Sequence, residues 1–347
     1  MFKQAAVFRG FAIFLVIVDH TIAMGQLGLG RINLPPGTLL STVLNVLASF
    51  SPFAVPIFLF FSGCYINYVL EKRDFKASYK IIFTTITSVL WPYLIWSCLF
   101  YIVIFLDGGQ SFSILGYVKN LIVGYPYNFV PILIFFYLIS PLLSKIRGLK
   151  ALFIVGFFFL YQIFLIYLLD PAILGFSNIK FMQFLAVPVL KDTLRTWGIY
   201  FPLGFYIKSI MHISDSHKKV VSICLGIATL IIVMINLVAT IFNYQWPWVK
   251  YIVVVPFILL SVLWEREKFP FYKAFERLGK RSYGLYLINL VIFDLSILIF
   301  TPILLINSDL MVLYFIILFA ITIFLPVLLM DWIEKILNRK VYRFVFG

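Results

Sequence analysis

Residues 81–106 read IIFTTITSVLWPYLIWSCLFYIVIFL, 26 positions without an Asp, Glu, Lys or Arg. A helix needs about 20 apolar residues to cross the hydrocarbon core, whereas a barrel strand needs about ten and alternates apolar with polar. This stretch is long enough for the first and shows no alternation for the second. Comparable runs lie near 7–29, 50–70, 129–145, 149–170, 196–211, 219–242, 248–264, 282–304 and 310–333. The sequence therefore predicts an all-α, polytopic membrane bundle of ten spans, with the runs at 129–145 and 196–211 the shortest.

Composition points the same way. The 347 residues are 63% hydrophobic and 19% aromatic but only 12% charged, against about half apolar and a quarter charged in soluble domains. Such a chain has no surface to offer water, which excludes soluble, disordered, coiled-coil and disulfide-scaffold classes. The longest intervals between runs, near 107–128 and 171–195, are too short for a soluble domain. Residues 1–347 accordingly read as a single integral-membrane domain. The first run contains Arg9, Asp19 and His20 and is followed by no small-residue cleavage site, so it is expected to be retained as a span rather than removed as a signal peptide.

Short cytoplasmic loops retain Lys and Arg. With the N-terminus inside, only Arg31, Lys119, Lys180, Lys191, Arg195 and Lys250 fall outside, leaving 22 of the 28 basic residues inside. This skew predicts both ends in the cytoplasm of a multi-pass cell (plasma or inner) membrane protein. It also accounts for the net charge of +14, whose partners are then anionic membrane lipids rather than nucleic acid. Cys64, Cys98 and Cys224 lie in apolar runs without metal-ligand spacing and read as packing residues.

Charge inside a bilayer costs roughly 2.5–3.5 kcal/mol even on lenient scales, so ionisable residues there are candidates for function. Asp19, His20 and Asp294 lie deepest in the predicted spans. Arg9 and His20 are eleven residues apart, about 20° beyond three helical turns and about 16 Å along the axis. One face of one helix therefore carries a cation near the inner interface and an imidazole beyond the midplane. Each also has a plain structural role available: Arg9 as a snorkelling anchor, His20 as a packing hydrogen-bond partner, Asp19 as counter-charge to a cation such as Arg195. His212 and His217 fall in a charged loop and read as solvated, and three dispersed histidines do not suggest a metal site.

Several stretches together resemble a known family. Arg9-Gly10-Phe11-Ala12-Ile13 through His20 resembles the R-x10-H first helix of the acyltransferase-3 family of integral-membrane O-acyltransferases. Val55-Pro56-Ile57-Phe58 into Phe61-Ser62-Gly63 resembles its second helix, and Trp91-Pro92-Tyr93-Leu94 the entry to its third. Trp197-Gly198-Ile199-Tyr200-Phe201 with Leu203-Gly204 is similar to a later segment, and Leu278-Gly279-Lys280-Arg281-Ser282-Tyr283-Gly284-Leu285-Tyr286-Leu287 to the family's "lG-r-SygiYLiH". The motifs occur in family order over essentially the whole chain. Asn289 stands where the family often has His, Lys76 and Lys80 replace an Arg-rich lead, and Tyr127-Asn128-Phe129-Val130-Pro131 replaces "hlWFl". These departures bring the chain towards the branch linked to polysaccharide modification or export.

The resemblance implies transfer of an acetyl or similar small acyl group from cytoplasmic acyl-CoA to a hydroxyl of a cell-surface or exported glycan. By position, His20 would be the general acid/base and Arg9 would hold the donor. Acyl transfer needs a base for the hydroxyl proton and a group to stabilise the oxyanion. A neutral imidazole suits the first task, with Asp19 helping to orient a neighbouring group. Ser62, Tyr283 and Asn289 are candidates for the second, and Arg195 for contact with the glycan. Ser62 beside Gly63 equally suits close helix packing, and Arg195 equally suits pairing with Asp192. A polysaccharide synthase is a possible partner for delivering the acceptor.

Two other classes are compatible with a polytopic bundle. A polysaccharide exporter or flippase without covalent chemistry would line a wide path with charge and broken helices. Pro56, Pro92, Pro131, Pro202, Pro256 and Pro326 supply breaks, but three deep ionisable groups are few for such a path. A proton-coupled small-solute transporter would use Asp19, His20 and Asp294.

Overall fold

The computed structural model describes residues 3–28, 38–106, 113–169, 186–187, 189–211, 215–242, 251, 254–304 and 311–347. Among them all regular structure is helical, without a strand. The helices are α1 (Ala5–Gly28), α2 (Leu39–Ala48), α3 (Ala54–Leu70), α4 (Phe75–Leu106), α5 (Ile114–Val123), α6 (Phe129–Leu143), α7 (Leu149–Leu169), α8 (Lys191–Trp197), α9 (Tyr200–Ile210), α10 (Asp215–Ile241), α11 (Val255–Leu263), α12 (Tyr272–Lys280), α13 (Ser282–Leu304), α14 (Met311–Ile336) and α15 (Arg339–Phe346). Among the described residues seven segments are long and apolar enough to cross a membrane: α1, the α2–α3 stretch, α4, α7, α10, α13 and α14. The predicted runs at 129–145, 196–211 and 248–264 form the shorter α6, α9 and α11. The predicted runs do not contain α2, α5, α12, α15 or most of α8; α2 and α5 each begin with a hydroxyl that caps the first turn, Thr38 and Ser113.

α1 lies at the centre of the arrangement. It runs antiparallel to α3, with Phe8 against Phe61 at one end and Asp19 beside Ser51 at the other. It runs parallel to α13: Arg9 meets Ser282 and His20 meets Phe293, and in both pairs the second residue lies 273 positions further on. α14 is antiparallel to both: Thr21 meets Thr322 while Gly25 meets Phe315 and Leu318, and Gly284 meets Met330 while Asn289 meets Thr322. A parallel pair needs an odd number of crossings between its members. The four long segments between α1 and α13 therefore do not complete the set, and some of the shorter helices cross as well. The ten predicted spans put seven crossings in that interval.

Glycines from the sequence motifs set two of the closest helix contacts. A Cβ on Gly10 would lie 1.7 Å from the Phe275 carbonyl oxygen, and one on Gly279 would lie 1.7 Å from that of Ala6. A Cβ on Gly204 would meet the Phe60 oxygen at 1.9 Å, and one on Gly63 the Phe201 oxygen at 2.3 Å. Backbone approach this close is open only to glycine, and in lipid such small-residue contacts drive helix association. α12 is thereby pressed onto α1, and α9 onto α3. Each contact joins two of the quoted motifs across the fold.

Candidate functional site

Two adjoining cavities open along the face of α1 that carries Arg9 and His20. The first has a volume of about 380 Å³ and is lined by Arg9 and by Ser62, Tyr65, Tyr137, Ser282 and Tyr283, among others, with Thr85, Ser88 and Gly347 also on its wall. Arg9 is held from α13: its Nε and one terminal nitrogen both donate to the Ser282 hydroxyl, at 3.4 and 3.2 Å. Ser62 and Tyr137 present their hydroxyls to the same cavity. The Tyr283 hydroxyl is already used, donating to the Val89 carbonyl at 2.6 Å.

The second cavity, about 310 Å³, is lined by Asp19 and His20 with Ser51, Pro52, Asn128, Thr196 and Trp197. Asp19 shares this cavity with Ser51, in the single 3-10 turn Ser51–Phe53 that leads into α3. The imidazole stands edge-on to Phe293, with ring centroids 6.3 Å apart. Its Nδ1 is sealed from solvent and has no hydrogen-bond partner, which leaves Nε2 as the nitrogen available to the cavity. Val16, Val55, Phe129 and Tyr286 appear on the walls of both cavities and form the partition between them. Val16 lies between Arg9 and His20 on their helix, about 10 Å from the first and about 6 Å from the second along the axis.

The structure thus brings Arg9, Ser62 and Tyr283 to one cavity and Asp19 and His20 to its neighbour. Arg195 stands next to the second cavity, on α8 whose last two residues, Thr196 and Trp197, form part of its lining; it pairs with Asp192 at 3.3 Å. Asn289 is fully buried and opens onto neither cavity: its amide donates to the Thr322 carbonyl at 2.9 Å and its Oδ1 is sealed without a partner. Asp294 lines neither cavity. His217 is exposed at the start of α10, and His212 lies outside the described residues. Among the described residues no three His, Cys, Asp or Glu side chains converge.

Sequence reasoning assigned no role to Ser282, Ser51, Tyr286 or Gln162. The last is completely buried on α7 and braces the break between α8 and α9, donating to the Thr196 carbonyl at 3.0 Å and accepting from the Ile199 N–H at 3.1 Å. A lone Gln in an apolar run was the available signal, since an amide inside a bundle needs internal partners.

Outside the spans, α12 and the end of α14 carry an ion-pair network. Arg281 bridges Asp331 and Glu334, and Arg277 donates to Asp331 at 2.6 Å. Glu276 meets Lys280 at 2.9 Å and Arg266 at 3.4 Å. These contacts fix α12 beside the foot of α13, where Ser282 holds Arg9.

Comparison with curated proteins and with solved structures returns no match. A family model described as an acyltransferase domain matches residues 5–331, a span that includes every helix from α1 to α13 and all but the last turn of α14. The chain belongs to the acyltransferase-3 family and is a multi-pass membrane acyltransferase.

Proposed function

We propose that this protein moves an acetyl or similar small acyl group from cytoplasmic acyl-CoA to a hydroxyl of a cell-surface or exported glycan, acting in the plasma or inner membrane. The observation that carries the reading is the placement of Arg9 and His20 on one face of α1, each in its own cavity, with one thin wall between. About 16 Å of helix separates them, a distance an extended pantetheine arm spans. Arg9, presented by Ser282, suits the donor's phosphates. The cavity of His20 suits the acceptor, because Trp197 offers a sugar an aromatic face beside Thr196 and Asn128. His20 Nε2 would take the proton from the attacking hydroxyl and return it to the leaving thiolate.

An exporter without covalent chemistry requires one continuous path wide enough for a glycan. Two cavities of about 310 and 380 Å³ divided by side chains favour transfer between two sites instead.

The test compares wild type, His20→Ala and His20→Gln for acyl-CoA-dependent O-acylation of glycan at equal membrane abundance. Both substitutions are expected to lower the rate by about 10²-fold or more. Unchanged rates in both would remove the assignment.

A further inference from the structure

Resting on that reading, we infer that Tyr286, in the wall between the two cavities, is a catalytic residue whose hydroxyl donates a hydrogen bond to the thioester carbonyl oxygen during acyl transfer. Of the four side chains shared by the cavities, Val16, Val55 and Phe129 are apolar and Tyr286 alone carries a polar atom. A donor anchored at Arg9 and attacked beside His20 must place its carbonyl carbon at this wall. The group available there to meet the developing charge is the Tyr286 phenol.

The register of the helices supports the same position. α13 starts level with Arg9, where Ser282 holds the guanidinium, and reaches His20 at Phe293. Tyr286 is four residues beyond Ser282, or about 6 Å up the axis, and so lies between the two levels. Its ring is fixed by edge contacts to Phe129 and Tyr127, with centroids 5.9 and 5.6 Å away.

The hydroxyl is also disposed to donate. Its ring lies against Phe129, the first residue of α6, whose N–H has no partner within its own helix. Tyr93, Tyr127, Tyr200, Tyr206 and Tyr283 each give their proton to a backbone carbonyl. Among the described residues no carbonyl takes that of Tyr286. The positive end of a helix favours negative charge beside it, and a fixed hydroxyl donor at such a place is what an oxyanion requires.

In the step, the acceptor oxygen bonds to the thioester carbon and its proton passes to His20 Nε2. The carbonyl π pair moves onto oxygen, where Tyr286 donates to it. When the pair returns, the C–S bond breaks and the sulfur leaves with its electrons, taking the proton from His20. The products are the O-acyl ester and the free thiol.

Tyr286→Phe removes the donor and keeps the ring. With wild type and His20→Ala as references, kcat of Tyr286→Phe is expected to fall about 10²–10³-fold while the KM for acyl-CoA stays within about threefold. Gly226→Ala on α10, which lines neither cavity and meets nothing within 4 Å, should retain kcat within about threefold. Should Tyr286→Phe not accumulate, the near-isosteric pair Tyr286→Gln and Tyr286→Leu serves: the amide variant is expected to be at least about tenfold faster. Active wild type, inactive His20→Ala and full-rate Tyr286→Phe would overturn this inference alone, as would equal losses in Tyr286→Phe and Gly226→Ala or equal rates in the Gln and Leu variants. A wild type inert towards acyl-CoA would overturn the functional reading and this inference with it.

Discussion

Arg9 and Ser282 are joined by two hydrogen bonds to one hydroxyl, from Nε at 3.4 Å and from a terminal nitrogen at 3.2 Å. The serine is the first residue of α13, so the guanidinium is aimed by the helix that runs parallel to its own. Ser282→Ala leaves the cation in place but unsteered. A hydrogen bond to a charged group is worth about 1.5–3 kcal/mol, and the cavity's solvent reduces that, so the donor KM should rise about tenfold with kcat little changed. Initial-rate kinetics with varied acyl-CoA decide it; an unaltered KM would show that Ser282 does not position Arg9.

The contact between α1 and α12 leaves no room for a methyl group. Gly10→Ala would drive a Cβ to 1.7 Å from the Phe275 oxygen and force the helices apart, at a cost of about 3 kcal/mol or more. Gly226→Ala on α10 meets nothing within 4 Å and should be neutral, or stabilise by up to about 1 kcal/mol through helix propensity. Thermal unfolding of the two detergent-solubilised variants should separate them clearly, and similar Tm values would contradict the packing described.

Gln162→Leu strands the Thr196 carbonyl and the Ile199 N–H together. Each unmet buried group costs about 1–3 kcal/mol, so a loss of about 2–4 kcal/mol in stability is expected. Because Thr196 and Trp197 line the cavity of His20, the acceptor KM should rise more than the donor KM. Equal changes in both would place the damage elsewhere.

Asn289 gains one hydrogen bond to Thr322 and leaves Oδ1 sealed without a partner. Asn289→Leu gives up the bond, worth about 1 kcal/mol, and also removes the unmet acceptor. The net change in stability should stay within about 1 kcal/mol, and the KM of either substrate should not move. A large rise in either KM would bring this side chain into the site.

The helical class and the Arg9–His20 face were legible because both depend on one helix at a time: run length decides the first and a period of 3.6 residues the second. The motif glycines could be seen, but not that Gly10 answers Gly279 or that Gly63 answers Gly204, since such pairings join segments far apart in the chain. Tyr286 was in view within Ser282–Leu287 and drew no role for the same reason. Its place in the wall depends on the register between α1 and α13, which no single-helix pattern contains. Asp19 met Ser51 rather than a cation, through a 3-10 turn that hydropathy does not signal. α2 and α5 are short; Ser113 caps the second within an interval read only for length, and Thr38 caps the first between two runs, where hydropathy gives no signal.

The partition of Val16, Val55, Phe129 and Tyr286 has an electrical consequence. Three of its four side chains offer a hydrated ion nothing in exchange for its water, and a narrow apolar layer resists wetting. Hollow space can therefore sit on either side of it without a conducting pore. A bundle built this way can hold two voids in line without joining them into a path for ions.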